Sequence, residues 1–202
     1  MYTPAFNKLT DRHEAISFMQ RYSFATIVTV KDGVPSATHL PFLVREQDDK
    51  IILSSHFAKV NPQAKEIVDC IPLVIFTEPH AYISPKNYET EKNVPTWNYI
   101  AVHAYGKATL IESPEEKAAL LEHTINTYEA GYLQQWNGLP QDYKLNMMKG
   151  ITGFEIVVDD LQGKQKLSQN RSAVERENII ADLAGSEDTV VKEIAEYMKK
   201  IK

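Results

Sequence analysis

Glycine scarcity is what most limits the folds open to this chain. Eight glycines occur in 202 residues, about 4% where roughly 7% is usual. Dinucleotide-binding and phosphate-loop folds need glycines so that backbone N–H groups can approach a phosphate. The nearest thing here is Gly150 and Gly153, a bare G-x-x-G, which excludes both folds by inspection. A nucleotide bound by this chain must have its phosphate held by side chains.

The length suits one domain, expected over residues 1–202, with a helical extension over about 172–202. Such a chain buries enough surface to need no disulfide or metal staple. Cys70 is the single cysteine, which excludes an intrachain disulfide and a cysteine zinc cluster and points to a reducing compartment. Met1 leads into polar sequence with no apolar leader, and no apolar run reaches membrane-spanning length. A cytoplasmic protein is therefore expected. The net charge of −5 and pI near 5.7 argue against non-specific nucleic-acid binding.

Periodicity then sorts the chain into strands with inserted helices. Asp11 and Glu14 have capping-box spacing and open a helix over 11–22. Residues 24–30 read as a strand, Asp32-Gly33 as a turn, and 36–46 as its partner, with Pro41 marking an edge or bulge. A turn over 47–50 leads to a strand at 51–57. Asn61-Pro62 opens a helix whose apolar face is Ala64, Ile67, Val68 and Ile71. Strands follow at 72–78 and 81–84 around Pro79, then a long strand or a bent pair over 95–112.

Ser113-Pro114-Glu115-Glu116 is a strong helix start, with Ala118, Leu121, Ile125 and Tyr128 on the buried face. A short helix fits 140–149, a strand 151–161, and a polar loop 164–172. Ser172 with Glu175 caps a further helix, and an amphipathic helix follows Gly185. There is no regular βαβ alternation, so an antiparallel barrel with helices is expected rather than a parallel doubly wound sheet.

Three stretches carry chemistry. Ser54, Ser55 and His56 end a strand, Lys59 follows, and Asn61-Pro62 starts a helix. Hydroxyls, an ammonium and a helix N-terminus make a phosphate site without glycine; a solvated strand–turn–helix joint is the plainer alternative. Lys166, Ser168, Gln169, Asn170 and Arg171 gather donors of several shapes, or else form a surface loop ending in a helix cap. Trp97 and Tyr99 are two apart on a strand and share a face; they stack on a ligand ring or, more commonly, pack in the core.

Six histidines show no zinc spacing, no serine sits in a nucleophile elbow, and Cys70 is expected buried and inert. The last 39 residues carry eight Lys/Arg against seven Asp/Glu, so no basic helix is evident for DNA.

Taken together, MYTPAF at the start, HLPF at 39–42, SSHFAKVNP at 54–62, PHAYISPKNY at 79–88, VPTWNY-x3-HAYG at 94–106 and KLSQNRS at 166–172 resemble the PaiB family of FMN-binding negative transcriptional regulators. The match runs nearly end to end. The resemblance implies a mainly β fold with appended helices: an antiparallel split β-barrel similar to pyridoxamine-phosphate oxidases. It implies FMN as cofactor, with haem as a minor alternative because some split barrels bind it. It also implies a homodimer with the flavin at the interface.

By the same similarity, Thr38, His39 and Leu40 lie near the flavin, and Ser54, Ser55 and Lys59 grip its phosphate. Lys166, Gln169, Asn170 and Arg171 close the site from one subunit or the other. The implied role is repression of sporulation and degradative-enzyme genes, with sensing of flavin or redox state. The alternative is an FMN-dependent oxidoreductase using NAD(P)H or a small oxidisable substrate.

Overall fold

A computed structural model describes residues 1–201. Its strands are β1 (Lys8–Leu9), β2 (Phe24–Lys31), β3 (Val34–Pro41), β4 (Leu43–Gln47), β5 (Lys50–Ala58), β6 (Leu73–Ile83), β7 (Thr96–Ile111) and β8 (Ile151–Lys166). Its helices are α1 (Arg12–Arg21), α2 (Gln63–Glu66), α3 (Pro114–Glu129), α4 (Leu133–Gly138), α5 (Gln141–Met148), α6 (Ala173–Ala184) and α7 (Thr189–Lys200). The strand order is β3-β2-β6-β7-β8-β5-β4, with β1 pairing β8. Every pairing with a resolved register is antiparallel.

The chain divides into two compact units. One contains Ile16–Phe76 and His103–Leu161. Two tight turns set its hairpins. Asp32 and Gly33 both take positive φ between the paired Lys31 and Val34, and Asp48 and Asp49 do so between Gln47 and Lys50. Two consecutive positive-φ residues match the right-handed twist of the flanking strands. Only Phe42 separates β3 from β4, yet these strands stand at opposite ends of the strand order. The two ends of the sheet are thus held together by covalent continuity without a hydrogen-bonded ladder between them, which is the sense in which the barrel is split. Phe42, Phe57, Phe76 and Phe154 fill its interior and pack as edge-on and stacked pairs with ring centroids 4.8 to 6.1 Å apart, distances typical of favourable aromatic contact.

The other unit contains Met1–Ala15, Thr77–Val102 and the stretch from Gln162 onward. Its core gathers Ile83, Ile100, Leu167, Ile179, Ile194 and Met198, all buried. Ser172 caps α6 by accepting from the Glu175 N–H, and Asp188 caps α7 by accepting from Val190. These caps satisfy N–H groups that a helix start leaves without partners.

Several expected elements differ. The helix after Asn61-Pro62 is one turn, Gln63–Glu66; Val68 and Ile71 are exposed. Ile71 precedes Pro72, a position biased away from helical backbone. The two strands around Pro79 are one continuous β6. The strand expected to end at 161 runs to Lys166 because β1 supplies a partner, pairing Lys8 with Lys164 and Leu9 with Gly163. On α3 the buried residue is Leu120; Leu121 and Ile125 are half-buried and Tyr128 is exposed. Cys70 lies past the end of α2 and is partly exposed.

Candidate functional site

In the Ile16–Phe76 unit the expected phosphate stretch forms the end of β5 and the loop after it. Successive strand residues face opposite sides, so Ser54 and Ser55 diverge. The Ser55 hydroxyl donates to the Pro41 carbonyl at 2.7 Å. The Ser54 hydroxyl bonds Arg45 at 2.8 Å and Glu155 at 3.1 Å. Both serines are buried and bonded within the protein, and the strand does not bring their hydroxyls together on one ligand. Lys59 is exposed in the turn, its backbone N–H bound to the Gly150 carbonyl at 2.8 Å, and its ammonium has no protein partner among the described residues. His56 is half-buried, and burial lowers its pKa.

The same loop reaches the edge strand β3 through a polar network. The Asn61 side-chain amide donates to Thr38 Oγ1 at 3.0 Å. Thr38 in turn donates to Gln63 Oε1. Gln63, almost fully buried, donates to Thr29 Oγ1 at 3.0 Å and to the Ser36 carbonyl at 3.1 Å. Thr38 and the loop that follows Lys59 are thereby held together, with Leu40 two residues further along the same strand. His39, exposed on the same strand, bonds Thr26 Oγ1 at 2.8 Å. Sequence reading missed Gln63, Arg45 and Glu155. Their only signal is polarity at positions where the flanking strand or helix is apolar.

In the other unit, Trp97 is 51% exposed, with Tyr82 at 5.9 Å and His80 at 5.8 Å between ring centroids. The core reading of Trp97 and Tyr99 does not hold. The inward face of β7 is Asn98 and Ile100, both buried, and Trp97 and Tyr99 alternate outward. Lys166 Nζ donates to Thr96 Oγ1, and burial, its leading influence, lowers its pKa.

Gln169 is spent on its own loop, accepting from Leu167 N–H at 2.8 Å and donating to the Gln165 carbonyl at 2.6 Å. Arg171 lies 3.7 Å over the Tyr88 ring and bonds Asn93 Oδ1 at 2.9 Å. Asn170 is exposed, and no group among the described residues bonds its side chain. Ser168 sits in a left-handed backbone conformation and its buried hydroxyl bonds Asn98, so this stretch is a fixed loop presenting Lys166, Asn170 and Arg171.

Among the described residues no helix is long and apolar enough to cross a membrane.

Comparisons with known proteins add to this geometry. Residues 1–160 match a family described as "Putative FMN-binding domain". The chain is 42% identical to "Protease synthase and sporulation protein PAI 2" of Bacillus subtilis, over 98% of this chain and 97% of that protein. It is 32% identical to an uncharacterised protein of Emericella nidulans, covering 72% of this chain and 73% of that one.

Among solved structures, the FAD and heme binding protein from Mycobacterium smegmatis superposes with a TM-score of 0.64 at 15% identity, over 87% of this chain and 80% of that one. The flavocytochrome Anf3 from Azotobacter vinelandii does so with a TM-score of 0.62 at 16% identity, over 77% and 67%. At such identities these two establish the shared fold.

Proposed function

This chain belongs to the PaiB family of FMN-binding domains, and from that premise we propose that it binds FMN and acts as a PaiB-type negative regulator of transcription, responding to its flavin or the flavin's redox state. The observation that carries the flavin assignment is the Lys59 loop. It presents an ammonium with no partner among the described residues, two positions before Asn61, whose side-chain amide bonds Thr38 in the edge strand. A phosphate needs a charge of that kind where glycine cradles are missing. Thr38, His39 and Leu40 line the isoalloxazine, and Lys59 takes the phosphate. Ser54 and Ser55 position the strand that delivers it.

FMN supplies hydride and one-electron chemistry when bound; the residues named here bind and orient it. Trp97, Lys166, Asn170 and Arg171 come from the second copy of a homodimer, with Gln169 holding their loop in shape. The exposed apolar residues Phe24 and Val30 on the outer face of β2 support that dimer, since exposed apolar side chains mark a surface that another chain can cover; the edge strand β3 beside it carries exposed Val34. With a net charge of −5, the regulatory step runs through a protein or metabolite rather than through broad contact with DNA phosphates.

The test is a titration of FMN with purified protein, read as flavin fluorescence, alongside a mass measurement by light scattering. Saturable quenching at micromolar protein by a dimer is expected. A folded dimer that leaves FMN fluorescence unchanged overturns the flavin assignment. A gel shift with the protein's own promoter that persists against competitor DNA overturns the indirect route.

A further inference from the structure

The Ile16–Phe76 and His103–Leu161 unit carries a half-open cavity of about 420 Å³, within the size range of small-molecule sites. Its polar floor is built on three neighbouring strands. Arg45 on β4 donates through one terminal nitrogen to Ser54 Oγ on β5 at 2.8 Å and to Glu155 Oε1 on β8 at 2.8 Å. Ser54, 1% exposed, donates to the same Glu155 oxygen at 3.1 Å. Leu110 and Ile111 of β7 and Leu120 of α3 make an apolar wall beside this floor.

The floor is only partly used. The Nε and second terminal nitrogen of Arg45, and the second oxygen of Glu155, have no partner among the described residues. A planar set of donors thus sits next to a free carboxylate oxygen, both about one-third exposed. A bare anion at Arg45 would also meet Glu155 and Glu116, which lines the cavity. A bare cation at Glu155 would meet Arg45. The complementary molecule carries both charges. An alkyl group on it would lie on the apolar wall.

We propose that this cavity binds a free α-amino acid with an apolar side chain, its carboxylate at Arg45, its ammonium at Glu155 and its alkyl group against Leu120. The cavity lining contains none of Thr38, His39, Leu40 or Lys59, and the inference does not rest on FMN binding.

Calorimetric titration of the purified protein with leucine tests this. Saturable binding by about 1 mM leucine is expected. N-acetylleucine, which lacks the ammonium, and leucinamide, which lacks the carboxylate, should each bind at least about tenfold more weakly, the scale of one charge-assisted hydrogen bond. Ala119→Trp, at an exposed position of α3 on the cavity rim, should abolish leucine binding with an unchanged circular dichroism spectrum. If that variant proves misfolded, Arg45→Gln provides the second arm, with an expected loss of about tenfold or more in leucine affinity. No saturation by leucine, equal binding of N-acetylleucine, or displacement of leucine by FMN overturns the proposal; the last result would make the cavity part of the flavin site.

Discussion

Ser55 and Pro41 join the two ends of the split sheet: the Ser55 hydroxyl donates to the Pro41 carbonyl at 2.7 Å. Pro41 closes β3, at one end of the strand order, and Ser55 lies on β5, next to the other end. No ladder spans this seam, so a single side-chain bond does part of what backbone pairing does elsewhere.

Ser55→Ala should therefore destabilise the protein by about 1 kcal/mol or more, the cost of leaving a part-buried acceptor without its partner. Urea unfolding followed by circular dichroism measures it. A change below about 0.5 kcal/mol would show that Phe42 packing and the Asn61–Thr38 and Gln63–Ser36 bonds hold the seam without it.

Gly106 should not tolerate alanine. A Cβ built there would stand 2.0 Å from the Val157 carbonyl oxygen, and backbone cannot yield as a flexible side chain can. Gly106→Ala should cost about 1–3 kcal/mol or more, seen as a fall in Tm of several degrees at roughly 2–4 °C per kcal/mol for a chain of this size. Gly33→Ala is the comparison: nothing lies within 4 Å, and its φ of +79° alone opposes a side chain, so its smaller loss should come from backbone strain.

Lys59→Ala should weaken FMN binding roughly ten- to a hundred-fold, the worth of one charge-assisted hydrogen bond. Because Lys59 is exposed and its ammonium bonds nothing among the described residues, the unfolding midpoint of the FMN-free protein should stay the same. Fluorescence titration and urea unfolding of the same preparation separate the two effects. Unchanged affinity removes Lys59 from the site.

Acid should destabilise the fold through His56. Burial holds its pKa below the ordinary 6.5, so the folded state favours neutral imidazole. The unfolded chain takes its proton near 6.5 while the folded chain resists. Stability is full above that value and falls as pH drops from 6.5 toward the folded pKa. His103 is shifted the same way, with burial as the leading cause. The urea midpoint should decline as pH falls below about 6.5, and His56→Gln should flatten that slope. An identical slope in the variant would assign the loss to other groups.

Much of the architecture is legible in local sequence because local chemistry sets it. Asp32-Gly33 makes its turn through backbone conformations few residues adopt, and Ser113, Ser172 and Asp188 cap their helices with their own side chains. The extent of β8 was not legible, since its polar end is a strand only because Lys8 and Leu9 pair with it. Nor was the outward position of Trp97, because alternation gives two faces without saying which one is covered.

The candidate site divides along the same line. Residue chemistry alone excluded glycine cradles and marked Lys59 and the 166–171 stretch as places for an anion. Only the tertiary structure decided how those residues can act. Strand alternation sends Ser54 toward Arg45 and Glu155 and Ser55 toward Pro41, so two hydroxyls adjacent in sequence serve different parts of the fold. Gln63 became visible as the link between the Lys59 loop and Thr38 once distant strands were side by side. Turns, caps and the absence of phosphate loops follow from a few neighbouring residues. Which donors remain free for a ligand depends on partners a hundred residues away, as with Arg45 and Glu155, and that is settled by packing.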